Sequence, residues 1–318
     1  MASGKRVNTL RPGDPFRDWL VYELGPRIHN KDCRVAVYRL GPASHTVCRY
    51  DFEGEDYGVI AKFFAEPTGK EKQYNAVEAM DTEFRILQRV EKIIKVARPI
   101  AKSRDFHCAM VTEYIKGRSL DRYLESEEGL YDKLTSVAQL LRRLHSETRS
   151  GYYKESEFGH FHKILDRHGF SRPARETYNQ LLGQWWRSPL LNQSYGCLIH
   201  NDATPVNYIF KDGEPYALDF ESSWEHANYI HDLGIMASEI KNYFALNRYD
   251  DQRAEPYIGH LLWHYSQSHS QFLEITRALP FFMSLGLLRI ARLHQNTKHR
   301  AYLFKEAMAC LNSKELRE

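Results

Sequence analysis

Four side chains past the middle of the 318-residue chain carry its strongest chemical signal. His200, Asp202 and Asn207 stand in the spacing His-x-Asp-x4-Asn, and Asp219 follows inside Leu218-Asp-Phe220. This set suits phosphoryl transfer to a hydroxyl, because each residue type has a separate task. A carboxylate at Asp202 can accept the proton of an attacking hydroxyl or orient that hydroxyl. Asn207 and Asp219 can offer oxygen ligands to Mg²⁺, a hard cation that neutralises phosphate charge. His200 is expected to support the loop through hydrogen bonds and to take no part in proton transfer. An isolated His-x-Asp pair would say little; the complete set with a strand-terminal Asp-Phe says much more.

A second group lies upstream. Lys62 closes Val59-Ile-Ala-Lys, and Glu83 opens Glu-Phe-Arg-Ile-Leu87. A lysine on a strand can hold the α- and β-phosphates of a nucleotide, with a glutamate on the next helix fixing its orientation. Glu78 is a rival partner, but Glu83 is preferred because it directly precedes the apolar pattern that docks the helix. Glu221, next to Asp219-Phe220, reads either as a contact supporting the site or as a solvated or capping charge.

The elements that must position these groups fall into two kinds. Residues 35–40, 47–52 and 58–64 are short β-prone runs separated by Gly41-Pro42 and Gly54-Glu-Asp56, the pattern of an antiparallel meander. A helix is predicted over 71–91, with Phe84, Leu87 and Val90 at helical spacing. Further strands are expected at 99–100 and 109–115. Beyond Lys116-Gly-Arg118 the chain turns mostly helical, and 134–144 repeats an amphipathic period. One hairpin interrupts, 208–210 and 216–220 joined by Asp212-Gly213, which would set Asn207 and Asp219 side by side. The fold class is therefore α+β: a small β-rich portion over 1–112, a connector at 113–117 and a larger helical portion over 118–318.

Composition narrows the function classes. Hydrophobic residues make up 42% and charged residues 27%, ordinary values for a soluble globular protein, and a net charge of +3 is modest for a polynucleotide binder. Five scattered cysteines without a Cys-x-x-Cys pair fit free thiols in a reducing, cytoplasmic setting better than disulfides or zinc. No run reaches the roughly 20 apolar residues of a membrane helix. His260 and His264 have the spacing of a zinc helix, but Leu261 stands where a metalloprotease needs Glu. From Arg277 to Lys305 there are six Lys/Arg and no Asp or Glu. A solvated helix face explains this, with an anionic substrate or a nucleic acid as the alternative.

Taken together, Val59–Lys62, Glu83, Met110–Leu120, Leu140–His145, His200–Asn207, Leu218–Glu221 and Asp232-Leu-Gly234 resemble the aminoglycoside phosphotransferase/choline kinase group of the protein-kinase-like superfamily. The resemblance spans roughly residues 35 to 235 in the expected order. It implies a bilobal protein-kinase-like fold, with a small β-rich N-lobe holding one main helix and a larger, mostly helical C-lobe. It also implies ATP and Mg²⁺ as cofactors and a small-molecule hydroxyl acceptor. A kinase for RNA or protein and a non-catalytic nucleotide-binding module are the alternatives. By the same resemblance Glu113–Ile115 would pair with adenine through their backbone, beside Thr112. The loop over residues 40–46, with Ser44, would cover the phosphates, and Asp232 would anchor the catalytic core. Three positions depart from the group's pattern: Asn201 replaces the usual Gly, Thr204 the usual His, and the phosphate loop has the single Gly41. The dozen residues from Asp219 to Asp232, with no Ala-Pro-Glu after them, leave little room for a protein kinase's activation segment.

Overall fold

The computed structural model describes residues 4–41, 43–67 and 74–313. Two compact units emerge, one of Met1–Arg118 with Ile209–Glu221, the other of Ser119–Tyr208 with Ser222–Glu318.

The first unit is built on a six-stranded sheet in the order β1-β2-β3-β4-β6-β5. Its strands are β1 (Lys5–Leu10), β2 (Val35–Arg39), β3 (His45–Phe52), β4 (Gly58–Pro67), β5 (Pro99–Ser103) and β6 (Ala109–Glu113). The expected meander is β2-β3-β4, antiparallel throughout. Strand β1 and helix α1 (Pro15–Leu24) precede it. β1 is an exposed, charged edge strand whose sequence carries no apolar alternation, which suits an edge that must not recruit other chains. α1 lays Leu20, Val21 and Leu24 into a core shared with Val35, Val37, Tyr50, Phe52 and Val59.

Helix α2 (Ala76–Val90) is capped by Asn75, whose side chain accepts from the Glu78 amide, and buries Met80, Glu83, Leu87 and Val90. The helix was predicted to begin at residue 71; residues 71–73 lie outside the described residues. One face that is otherwise apolar thus carries a single carboxylate inward.

After the short strand β7 (Arg118–Ser119) come α3 (Leu120–Ser126), α4 (Leu130–Glu147), α5 (Lys154–Asp166), α6 (Arg172–Arg187) and β8 (Cys197–Ile199). The predicted hairpin is β9 (Tyr208–Lys211) and β10 (Glu214–Ala217), turned by Asp212 and Gly213, both at positive φ. Residues 209–221 fall within the helical portion expected over 118–318 but group with the first unit. Ala217 bonds there through its N–H to the Lys95 carbonyl (3.0 Å) and through its carbonyl to the Ala97 amide (3.3 Å). Gly117 permits this packing, since a Cβ at that position would run into the Phe210 carbonyl.

The second unit continues with β11 (Trp224–Ala227), paired to β8, then α7 (Ile230–Asn247), α8 (Glu255–Tyr265), α9 (His269–Leu293) and α10 (Thr297–Leu311). α7 and α9 lie close because Gly234 faces the Phe282 backbone and Gly286 faces Ser238. Side chains larger than hydrogen at either glycine would force the two helices apart. Among the described residues no helix is long and apolar enough to cross a membrane.

Candidate active site

In the first unit the site is organised around one ammonium. Lys62 is on β4, paired to Met110 of β6 and Val47 of β3, so its backbone is fixed on both sides. Its Nζ lies 2.9 Å from Glu83, 3.0 Å from Asp219 and 2.6 Å from Glu221. Glu78 sits in the first turn of α2, with its amide on the Asn75 cap, so Glu83 is the glutamate that reaches the lysine. Burial works against the Lys62 charge, but Glu83, Asp219 and Glu221 outweigh it and hold the ammonium well above its ordinary value. Glu83 is 2% exposed, and burial pushes it up to about 7 against the pull of Lys62. Glu221 is less enclosed; hydrogen bonds and charge from His45 and Lys62 overcome burial and bring it down to about 2.

Asp219 occupies the left-handed region at φ 58°, an uncommon conformation for a residue other than glycine and one met at functional positions. Its side chain is 41% exposed. Glu83, Asp219 and Glu221 bring carboxylate oxygens within 4.8 Å of one another. All are hard oxygen donors in excess over one lysine, a donor set that fits Mg²⁺. Sequence reasoning left Glu221 undecided; its adjacency to Asp219 was the available signal. Ser44 joins the same group, its hydroxyl 2.9 Å from His45 Nδ1 and 3.4 Å from Glu221. Pro42, in the predicted phosphate loop, lies outside the described residues. Glu113 ends β6 with its side chain on Arg98 (3.0 Å). The N–H groups of Glu113 and Tyr114 donate to the carbonyls of Arg98 (2.9 Å) and Gly58 (3.2 Å). Ile115 is buried against Ala97 and Ile209, and Thr112 is buried beside it in the chain.

In the second unit the 200–207 loop is shaped by a buried carboxylate. Asp232, on the first turn of α7, accepts from the amides of His200 (2.7 Å) and Asn201 (2.8 Å) and from His145 Nε2 (3.1 Å). Burial raises its pKa, yet His145, His200 and these bonds together hold it below the usual value. Asn201 sits at φ 60°, where glycine is the easy choice and asparagine one of the tolerated ones. Its Nδ2 donates to the Ser222 carbonyl at 2.8 Å, so asparagine both adopts the turn and ties it down. The Asp202 amide donates to His200 Nδ1 at 3.3 Å, the supporting role expected of that histidine. Asn207 Nδ2 donates to the Asp202 carbonyl and to Asp202 Oδ2, both at 2.9 Å, leaving Oδ1 as the oxygen a hard cation would meet.

Sequence reasoning missed Arg289. It belongs to the acid-free 277–305 stretch, and its guanidinium contacts Asp202 Oδ1 and donates to the Asn201 carbonyl at 2.7 Å. That stretch is not one solvated face, because α9 ends at Leu293 and α10 begins at Thr297. The signal was a lone arginine among Leu285, Leu287, Leu288 and Ile290, all buried.

The matched family agrees with this chemistry. A profile of the Phosphotransferase enzyme family matches residues 49–267. The chain belongs to that family. No curated protein sequence matches it. Among solved structures it is similar to an ethanolamine kinase of Plasmodium vivax, with 11% identity, 89% of this chain and 83% of that one covered and a TM-score of 0.61. A choline kinase of Streptococcus pneumoniae shares 16% identity over 94% of this chain and 99% of its own, with a TM-score of 0.56. APH(2'')-IIa in a ternary complex with streptomycin and ATP gives 13% identity, coverages of 94% and 96% and a TM-score of 0.56. At these identities the likeness is one of fold, and that fold is the kinase-like one.

Proposed function

We propose that the protein transfers the γ-phosphate of ATP to a hydroxyl of a small-molecule acceptor, with Mg²⁺. The observation that carries this reading is the Lys62 cluster, in which a buried ammonium oriented by Glu83 stands beside the metal-fitting carboxylate of Asp219. Lys62 holds the α- and β-phosphates, and Ser44 lies on the loop that covers them. Adenine pairs with the backbone of Glu113 and Ile115; the amides of Glu113 and Tyr114 are already committed, which leaves the Ile115 amide as donor. Asp219 and Asn207 supply the oxygen ligands of Mg²⁺, with Glu221 a further oxygen donor beside Asp219. When bound, the metal neutralises charge on the phosphates.

Asp202 orients the acceptor hydroxyl and receives its proton. The acceptor oxygen bonds to the γ-phosphorus while the bond to the β,γ-bridging oxygen breaks, its electron pair leaving on ADP. Because such transition states are loose, positioning and charge stabilisation contribute most of the acceleration, and proton transfer less. The buried free thiols Cys33, Cys48, Cys108 and Cys197 support a reducing, cytoplasmic location.

Mg²⁺-dependent conversion of ATP to ADP across a panel of hydroxyl acceptors tests the reading. Asp219→Ala should abolish metal-dependent turnover. Asp202→Asn should lower acceptor-stimulated turnover about 10²- to 10⁴-fold while ATP still binds. Undiminished transfer by either variant overturns the assignment.

A further inference from the structure

The guanidinium on Asp202 bears on which acceptor the site takes. Arg289 and Asp202 are each about a quarter exposed, at 26% and 25%, so their pair is neither sealed in the core nor dispersed in water. Arg289 presents five donors in a rigid fork, and its described contacts at this loop go to the Asp202 carboxylate and the Asn201 carbonyl.

A ring cluster in the same unit supplies a second observation. His160, Trp224 and His231 make mutual contacts, with centroids 5.2 Å, 5.6 Å and 5.8 Å apart. His231 has no exposed surface and gives its Nδ1 to Glu157 at 2.8 Å. His231 Nε2 and Trp224 Nε1 are buried and have no hydrogen-bond partner among the described residues. Buried polar atoms are seldom left so, and a polar ligand is one way to satisfy them. Burial drives His160 down to about 3, and His231, Arg289, Lys163 and Arg167 all push the same way. Arg289 is thus among the cations whose positive field reaches His160, while the buried Glu157 carboxylate opposes it at His231. Glu239 also acts on Arg289 and Asp202; burial pushes it up to about 7, so near neutral pH it opposes that field with only part of a charge.

We infer that Arg289 is a specificity-determining residue that selects an acceptor bearing an anionic group, a carboxylate or a phosphate ester, close to its reacting hydroxyl. This rests on the reading of Asp202 as the residue that orients that hydroxyl. An amine-bearing acceptor meets the guanidinium at like charge. An anionic acceptor takes the guanidinium in a charge-assisted, bidentate pair and leaves Asp202 Oδ1 to the hydroxyl.

The test measures KM for matched acceptors with Mg-ATP: glycerol, serinol, glycerate and glycerol 3-phosphate, and likewise glucose, glucosamine, gluconate and glucose 6-phosphate. In at least one series an anionic member should have a KM about 10- to 100-fold below its neutral and amine counterparts, the span of a charge-assisted pair. The carboxylate and phosphate arms separate the two anion chemistries. Arg289→Gln should erase the preference by raising KM for the anion. Arg289→Lys, which keeps the charge without the fork, should retain part of it and serves as the folding control. A preference for amine or neutral acceptors, an anion preference that survives Arg289→Gln, or no response to any anionic acceptor by a protein that binds Mg-ATP overturns the inference. Failure to bind Mg-ATP, or turnover indifferent to Asp219→Ala, marks instead the failure of the kinase reading.

Discussion

The Lys62 cluster and the Asp202 loop are built on opposite electrostatic plans. The first sets three carboxylates, Glu83, Asp219 and Glu221, against one ammonium, all of them far from Lys62 in the chain. Its geometry comes from long-range packing of strand, helix and the 209–221 segment, and its charge is in excess. The second keeps His200, Asp202 and Asn207 on one short loop and sets the Asp202 carboxylate against a single distant cation, Arg289. Its shape is held by hydrogen bonds to backbone amides, most of them received by Asp232. The contrast teaches that a substitution in the first alters charge compensation, whereas one in the second alters loop geometry.

The sharpest way to break this comparison is at Lys62. Removing one partner of a buried pair leaves the other uncompensated, so Lys62→Met should lose up to about 3–5 kcal/mol of stability in urea unfolding at alkaline pH, and less near neutrality, where Glu83 takes up a proton. The cost falls on Glu83, which is already pushed up to about 7 by burial. Lys62→Met combined with Glu83→Gln should therefore recover a large part of the loss, although it restores no activity. If the double variant is as unstable as the sum of the two singles, charge compensation does not govern this cluster.

A smaller effect is expected at Asp232, whose lowered pKa gives a pH signature opposite in sign to that of Glu83, which burial raises. Asp232→Asn weakens two bonds to backbone amides and one to His145, at a cost of about 2–3 kcal/mol near pH 7. Because the folded protein holds this carboxyl below its unfolded value, its contribution is present above the unfolded pKa of about 3.9 and lost as pH falls through the lower folded value. The stability gap separating wild type and variant should thus be constant from pH 7 to pH 5 and shrink below about pH 4. A gap that widens in acid would show that Asp232 is not the charged anchor.

How much of this was legible in the sequence follows the same division. The meander, the hairpin turn at Asp212-Gly213 and the local spacing of His200, Asp202 and Asn207 were readable because periodicity and turn chemistry act over a few residues. Glu83 was readable too, since the apolar pattern of α2 fixes which side of the helix packs inward. β1 was not, because an edge strand with exposed Lys5, Arg6 and Val7 has no alternation to detect. Grouping of 209–221 with the first unit was equally hidden, as it depends on the bonds of Ala217 to Lys95 and Ala97. Arg289 escaped for a third reason. In a stretch rich in arginine and lysine, composition alone cannot single out the residue that reaches Asp202.

The finest probe of the comparison is Asn201, whose positive φ is a purely local demand. Asn201→Gly relieves the conformational cost but gives up the bond to the Ser222 carbonyl and adds unfolded-state entropy, so the net change should stay within about 1 kcal/mol. Asn201→Val places a β-branched side chain at φ 60° and should cost more, about 1–3 kcal/mol. The kinetic readout matters more than the stability. A loop whose geometry is set by backbone bonds to Asp232 should keep Asp202 in place with glycine and lose it with valine. Turnover should therefore fall severalfold or more for Asn201→Val while ATP affinity, governed by the Lys62 cluster, stays near wild type. Equal kinetic loss in both variants would mean that the asparagine side chain, and not the backbone turn, holds the loop.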